Sequence, residues 1–151
     1  MIAIGSDHGG FALKQEIMKH LEARGLEYKD FGTYTADSCD YPQYGAAVGR
    51  AVASGECERG ILICGTGIGI SISANKIHGV RCALCSEPVS TALSRQHNDA
   101  NIVAMGARTI GPVMAEEIVR TFLTTEFEGG RHARRVEKIM QLDRGETLLE
   151  N

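Results

Sequence analysis

The chain has 151 residues, of which 43% are hydrophobic and 23% charged, and its formal net charge is −3. This is the size and composition of one globular domain, large enough to bury a core without disulfides. The weakly acidic balance argues against nucleic-acid binding, which needs a strongly basic face, and no apolar run approaches the roughly 20 residues that span a bilayer. We therefore expect one domain over residues 1–151, without a signal peptide, that binds neither nucleic acid nor membrane.

Short apolar runs alternate with helical patterns from the start of the chain. The pattern predicts a strand over Ile2–Ser6, a helix over Phe11–Ala23 and a weak strand over residues 28–31. A helix is then expected to begin at Tyr41 and Pro42, because proline suits the first helical turn, and to run to about residue 54.

The second half of the chain continues this alternation. Predicted strands cover residues 61–64, 80–85 and 102–105, and predicted helices cover residues 71–76, 87–96, 112–124 and 132–142. Strands separated by helices in regular succession imply βαβ units and a parallel sheet. We expect an α/β, single-domain, three-layer fold with a five-stranded parallel sheet, similar to the Rossmann fold.

The most informative segment is Cys64-Gly65-Thr66-Gly67-Ile68-Gly69, in which a buried strand ends in a thiol and a glycine-rich loop follows. Such a loop, opening a helix, presents backbone N–H groups to an anion. The partial positive charge of the same groups favours the thiolate. The segment therefore predicts a binding loop together with a catalytic base or nucleophile at Cys64. A nucleotide-binding loop remains an alternative, although Ile70 replaces the third glycine of the G-x-G-x-x-G fingerprint.

Other polar residues lie near the predicted strand ends. Asp7 and His8 follow the first strand and Arg108 follows the fifth, at the edge where open α/β sheets bind ligands. His8 is suited to pair with an anion and Asp7 to accept from a sugar hydroxyl, but a helix cap is an equally good interpretation of Asp7. His97 and Asn98 precede a strand instead, so they join this site only through loop geometry or from another subunit.

Arg131 and Arg135 begin the last helix and lie four residues apart, hence on one face, where two guanidinium groups suit a phosphate. A solvated helix face is the alternative interpretation. The remaining histidines, His20, His78 and His132, are assigned to the surface or to loops.

The five cysteines, an odd number, indicate reduced thiols in a cytoplasmic protein. Cys82 and Cys85 have the spacing of a metal-binding pair. Three residues apart on a strand, however, they point to opposite faces, and no second pair completes a zinc site.

Five motifs, taken in order, resemble those of the type B ribose-5-phosphate isomerases, which group with the galactose-6-phosphate isomerase subunits. The motifs are Gly5-Ser6-Asp7-His8-Gly9-Gly10, Asp40-Tyr41-Pro42, the segment from Cys64 to Gly69, His97-Asn98, and Gly129-Gly130-Arg131-His132 with Arg135. The resemblance covers essentially the whole chain. It implies the interconversion of ribose 5-phosphate and ribulose 5-phosphate through an enediolate, as in the pentose phosphate pathway, with no metal and no cofactor.

The resemblance also implies a role for each candidate residue. Cys64 would move a proton between C1 and C2, while the backbone of residues 65–69, with Thr66, would hold the developing oxyanion. His97 would open the furanose ring as proton donor, with Asp7 opposite. The other substrate contacts would come from Tyr41 and Asn98 and, at the phosphate, from His8, Arg108, Arg131 and Arg135. Relatives without the cysteine use a glutamate just after the glycine loop, where this chain has Ile70.

The same resemblance implies a homodimer or a dimer of dimers with active sites at the subunit interface, and a C-terminal helix and tail that pack on a neighbouring subunit. Two alternatives remain for the function. One is an isomerase of a six-carbon sugar phosphate (allose 6-phosphate or galactose 6-phosphate), because pocket length and not motif sets that choice. The other is a non-catalytic sugar-phosphate-binding module, which would need only the phosphate contacts.

Overall fold

The computed structural model describes residues 1 to 149, and all five predicted strands are present in it as one parallel sheet. The strands are β1 (Ile2–Ser6), β2 (Tyr28–Asp30), β3 (Arg59–Cys64), β4 (Cys82–Leu84) and β5 (Ile102–Gly106). Their order across the sheet is β2-β1-β3-β5-β4, and every neighbouring pair is parallel. Residues 150 and 151, the end of the tail predicted to reach a neighbouring subunit, lie outside the described residues.

The helices follow the strands in alternation. They are α1 (Phe11–Ala23), α2 (Tyr41–Ala53), α3 (Ile68–Ala74), α4 (Pro88–Asn98), α5 (Pro112–Thr124) and α6 (Arg131–Asp143), and a short 3₁₀ turn (His8–Gly10) precedes α1. Helices α2, α4 and α5 each carry a proline in the first turn, where its missing N–H costs no helical hydrogen bond.

Two apolar cores, one on each face of the sheet, make the fold three-layered. Ile61 and Ile63 of β3 pack with α1 and α5, whereas Leu62 and Cys64 pack with α2 and α3. The alternation follows from the two-residue period of a strand. The α/β, three-layer fold expected from the sequence is confirmed, and the Cys64 side chain belongs to the layer that contains α2 and α3.

Helix α3 begins three residues earlier than the sequence pattern predicts, at Ile68 and not at residue 71. Gly67 precedes it with φ 79°, a left-handed conformation that glycine adopts without steric cost. Ile70 and Ala74 are fully buried against the sheet. Burial of these side chains outweighs the weak helix propensity of Gly69, the second residue of α3, whose presence predicted a loop for this part of the chain.

Strand β4 is shorter than predicted and ends one residue before Cys85, but Cys82 and Cys85 still point as their spacing indicated. Cys82 packs against the α2–α3 core and Cys85 against the α1–α5 core. The two thiols therefore lie on opposite faces of the sheet. Between residues 1 and 149, none of the helices is both long enough and apolar enough to pass through a bilayer.

The strand order brings the carboxyl ends of β1 and β3 side by side. The chain moves outward from β1 to β2 and then returns to place β3 on the other side of β1. Asp7, just past β1, donates its backbone N–H to the carbonyl of Ile63 at 3.3 Å. In open α/β sheets a reversal of this kind creates the crevice in which ligands bind.

Candidate active site

A cavity of about 460 Å³ opens at the carboxyl ends of the strands, next to this reversal. It is lined by nine residues: Asp7, Tyr41, Cys64, Gly65, Thr66, Ile68, Gly69, Ile72 and Arg108. Eight of them, all but Ile72, are candidate residues from the sequence. The topology therefore brings together, from four separate stretches of chain, most of the predicted carboxyl-edge residues.

Cys64 ends β3 with its side chain almost fully buried, and its Sγ accepts a hydrogen bond from the backbone N–H of Gly67 at 3.1 Å. The left-handed Gly67 turns its amide back toward the strand end, and a Cβ atom there would lie 2.6 Å from Leu84 Cδ1. A hydrogen bond from an amide stabilises a thiolate more than a thiol. Burial raises the pKa of the Cys57 and Cys85 thiols, neither of which lines the cavity.

Asp7 combines the two interpretations that its sequence position allowed. Its Oδ1 accepts the backbone N–H of Gly10 at 3.0 Å and so caps the 3₁₀ turn. The same buried carboxylate lines the cavity that holds Cys64. A carboxylate has about four acceptor sites, so capping leaves it able to bind a substrate hydroxyl.

The walls of the cavity are tightly built around the glycines. A Cβ atom on Gly69 would lie 2.5 Å from Cζ of Tyr41, so the tyrosine ring packs directly on this glycine. Arg108 packs along Gly65 and donates its backbone N–H to that residue's carbonyl at 2.9 Å. The loop is therefore shaped by close backbone approach, which explains why it contains so many glycines.

Two backbone amides of the glycine loop already donate hydrogen bonds within the protein. The N–H of Gly67 binds Cys64, and the N–H of Ile68 binds Oγ1 of Thr66 at 3.2 Å. The Thr66 hydroxyl thus helps to begin α3. Any oxyanion contact from this loop falls to its other amides.

His8 lies beside the cavity and is not one of its lining residues. Its Nδ1 is 3.2 Å from both the backbone N and the backbone O of Cys39. These contacts fix the imidazole against the loop that precedes α2. They leave Nε2 as the nitrogen available to a ligand.

A second cluster of candidate residues lies at the opposite end of the sheet. His97 and Asn98 end α4, and residues 99–101 lead from them into the start of β5. The sheet register pairs Gly60 with Ile102 and Cys64 with Gly106, four residues further on. At ~3.3 Å per residue the two ends of this ladder are about 13 Å apart. Within one chain, Cys64 and His97 therefore do not meet.

His97 stacks on His132, with ring centroids 4.2 Å apart and an interplanar angle of 12°. His132 is the second residue of α6 and is buried, so its assignment to the surface or a loop is wrong. Burial lowers the pKa of His132, and the positive charges of His97 and Arg131 lower that pKa further. The contact between His97 and His132 could not be predicted from the sequence, because it joins residues 35 positions apart.

His20 also departs from its surface assignment, because its Nε2 is buried, while its Nδ1 lies 4.0 Å from Glu116 of α5. His78 is exposed, as expected.

Arg131 and Arg135 occupy the first and second turns of α6, both exposed, with Arg131 directly before His132. The backbone N–H of Glu128 donates to the carbonyl of Gln96 at 3.1 Å, which ties the start of this segment to the end of α4. The two arginines and the His97–His132 stack thus form one surface. It offers two fixed positive charges suited to a phosphate next to an imidazole.

Comparison with known proteins identifies relatives over nearly the whole chain. A family model described as Ribose/Galactose Isomerase matches residues 2–139. Ribose-5-phosphate isomerase B of Escherichia coli K12 is 54% identical over 142 residues, which are 94% of this chain and 95% of that protein. The structure of ribose-5-phosphate isomerase B from Clostridium thermocellum superposes with a TM-score of 0.94 at 55% identity, covering 95% of this chain and 97% of that one.

A further solved structure carries a ligand. Ribose-5-phosphate isomerase B of Mycoplasma genitalium with bound ribulose-5-phosphate is 39% identical, with a TM-score of 0.91 and 95% of each chain covered.

Proposed function

The chain belongs to the ribose/galactose isomerase family, and from this premise we propose that it is an aldose–ketose isomerase that interconverts ribose 5-phosphate and ribulose 5-phosphate. The proposal depends on one observation. The Cys64 sulfur accepts a hydrogen bond from the Gly67 amide and lines the same cavity as the Asp7 carboxylate. A base and a carboxylate on one cavity wall are what a proton transfer between adjacent carbons requires.

The first chemical step is the opening of the furanose ring. Asp7 takes the proton of the C1 hydroxyl, the bond from C1 to the ring oxygen breaks, and His97 gives a proton to that oxygen. The product is the open-chain aldehyde. The stack of His97 on the buried His132 supports this assignment, because it holds the His97 ring in a defined position.

The second step is isomerisation. The Cys64 thiolate removes the proton from C2, and the electron pair forms an enediolate whose negative charge lies on O1. Amides of the loop from Gly65 to Gly69 stabilise that charge. The proton then returns from Cys64 to C1, O2 becomes the ketone oxygen, and its proton passes to O1. Tyr41 walls the pocket, and Asn98 contacts the sugar.

Phosphate binding is assigned to His8, Arg108, Arg131 and Arg135. Arg108 already lies at the cavity, whereas Arg131 and Arg135 lie on the α6 surface beside His97. A site that uses all of them must draw its residues from two chains. We therefore propose a homodimer, or a dimer of dimers, in which the carboxyl-edge cavity of one subunit faces the α4–α6 surface of the other.

The exposed apolar side chains around the cavity support this assembly. Ile68 and Ile72 of α3, which line it, are 50% and 55% exposed, and Leu84, which packs against Gly67, is 45% exposed. Exposed apolar side chains beside a polar cavity are typical of a protein–protein interface. On α6, the side chains of Ile139 and Leu142 are also exposed, which supports packing of this helix on the neighbouring subunit.

The proposed reaction is tested by proton NMR of ribose 5-phosphate incubated with the purified protein in D₂O. We expect loss of the C2 proton signal as ribulose 5-phosphate appears, because a thiol base exchanges its proton with solvent. Absence of turnover with ribose 5-phosphate, together with turnover of allose 6-phosphate or galactose 6-phosphate, would assign the site to six-carbon substrates. Absence of turnover with all three would leave a sugar-phosphate-binding module.

We further infer a cytoplasmic location from the five cysteines, all of which are free thiols.

A further inference from the structure

His97, Glu128 and His132 form a cluster that no step of the proposed reaction uses as a unit. One donor atom from each, an imidazole nitrogen or a carboxylate oxygen, lies within 4.8 Å of the other two. His132 Nε2 lies 3.7 Å from Glu128 Oε2. We propose that these three residues form a binding site for a divalent transition-metal ion, with Zn²⁺ as its best match.

The donor set supports this choice of ion. Two imidazoles and one carboxylate are a common three-ligand set for zinc, which leaves a fourth tetrahedral position for water. Bonds of ~2.1 Å place tetrahedral donors about 3.4 Å apart. The contact between His132 and Glu128 is already close to this spacing. Because an imidazole binds a metal ion in the plane of its ring, the His97 ring must turn out of its stack on His132 to complete the site. Imidazole donors also disfavour Mg²⁺ and Ca²⁺, which prefer oxygen ligands.

Backbone hydrogen bonds hold the three residues close together. Glu128 donates its backbone N–H to Gln96, the residue before His97. His132 donates its backbone N–H to Gly129 at 3.0 Å and is buried, so its ring has little freedom. Residues that the backbone already holds close together lose less conformational entropy on binding than residues on a flexible segment.

The local charge limits the affinity. Arg131 and Arg135 oppose a cation, and Glu128 is the one anionic member of the cluster. Replacement of Glu128 by glutamine therefore removes both a ligand and the negative charge that offsets the arginines. This makes Glu128 the most informative position for a test, and it has no assigned part in the isomerase reaction.

The site also implies a mode of control, which rests on the proposed function. A metal ion bound to the His97 ring withdraws this imidazole from ring opening. Zn²⁺ would then inhibit turnover of ribose 5-phosphate, and a chelator would restore it.

The test is a titration of the chelator-treated, full-length protein with Zn²⁺ against a chromophoric metal indicator. Glu128→Gln is compared with Glu126→Gln, which makes the same change at another exposed glutamate two residues away. We expect one Zn²⁺ per chain in the wild type and in Glu126→Gln, and affinity at least about tenfold weaker in Glu128→Gln. Equal affinity in the two variants, or no binding by the wild type, would overturn the site.

Two further readouts separate this site from the cysteines and from the proposed reaction. Substituted Co²⁺ should give visible absorption bands without a thiolate-to-metal band in the near ultraviolet, whereas a thiolate band would place the ion at a cysteine. In the activity assay, Zn²⁺ should inhibit the wild type and Glu126→Gln but inhibit Glu128→Gln at least about tenfold less, with the metal-free rate unchanged. If no sugar phosphate is turned over, the proposed function fails, while the titration still decides the metal site.

Discussion

At the scale of single residues, Cys64 differs from the other four cysteines in what surrounds its sulfur. It ends a strand at a cavity and accepts an amide hydrogen bond from Gly67. Cys82 packs against the same core but lies away from that cavity, and burial raises the pKa of its thiol. The residue type alone does not distinguish the two, whereas the hydrogen bond and the cavity do.

Replacing Cys64 with alanine should reduce kcat by about 10²- to 10⁴-fold, the contribution typical of a general base, with little change in substrate binding. Cys82→Ala is the matched control, because it deletes a thiol from the same core without touching the cavity. Ribose 5-phosphate turnover and its dissociation constant are the quantities to measure. Retention of most activity by Cys64→Ala would remove this residue as the base.

The buried histidines should make stability depend on pH. Burial lowers the pKa values of His20 and His132 below the ordinary value of about 6.5. Between the folded and unfolded values the unfolded chain binds more protons, so the free energy of unfolding is largest above about pH 6.5 and falls as the pH drops through this window. Urea unfolding at several pH values should show this loss in the wild type and less of it in His20→Gln and His132→Gln. His78→Gln, at an exposed position, should retain the full dependence; an equal slope in all four proteins would contradict the assignment.

At the scale of secondary-structure elements, the ends of two helices set the chemistry. Gly67 directly precedes α3 in a left-handed conformation and directs its amide to Cys64. Asp99 ends α4 with φ 46° and accepts a hydrogen bond from Arg95 Nη1 at 2.8 Å. The buried Arg95 also binds the carbonyl of Ala100, so the turn that carries His97 is fixed on both sides.

Gly67→Ala should destabilise the protein more than Gly55→Ala. Both glycines have positive φ values, 79° and 83°, so alanine is strained by roughly 1 kcal/mol at either position. Around Gly55 an added Cβ meets nothing within 4 Å, whereas at Gly67 it lies 2.6 Å from Leu84 and 2.8 Å from the Met105 backbone. The steric overlap should add about 1–3 kcal/mol, measured by urea unfolding. Equal losses in the two variants would show that the close approach costs nothing.

At the scale of the whole molecule, the candidate residues divide into two surfaces at opposite ends of the sheet. One is the cavity around Cys64, and the other is the α4–α6 surface that carries His97 and the two arginines. The sheet between them is a rigid spacer of about 13 Å. A complete site is therefore expected only where two chains meet.

Mixing inactive variants tests this arrangement. In a heterodimer of Cys64→Ala and His97→Ala chains, a site shared between subunits has one copy with both lesions and one copy with neither. With random pairing half of the dimers are mixed, so dissociating and reassociating the two variants should restore about a quarter of the wild-type activity. Neither variant should regain activity when it is dissociated and reassociated alone. Absence of recovery in the mixture, with mixed dimers demonstrated, would mean that each chain contains its own site.

The order and type of the secondary-structure elements were predictable from the sequence, because hydrophobic periodicity reports which side of each element is buried. The boundaries of the elements were less predictable. In α3, the glycine-rich start predicts a loop, and only the burial of Ile70 and Ala74 in the structure explains why it is helical. The candidate residues Asp7 and Arg108 are predicted by their place after strand ends, whereas Tyr41 is predicted as a pocket residue only through the family resemblance. The shared cavity follows from the parallel topology.

The sequence by itself determined the α/β fold, the family resemblance and the thiol at the strand end, since each of these depends on residues that are near one another in the chain. Only the tertiary structure decided that Gly67 donates to Cys64, that Tyr41 packs on Gly69 and that His97 stacks on the buried His132. It also separated His97 from Cys64 by the length of the sheet. Such contacts depend on strand order and helix packing, which bring together residues that no local pattern connects.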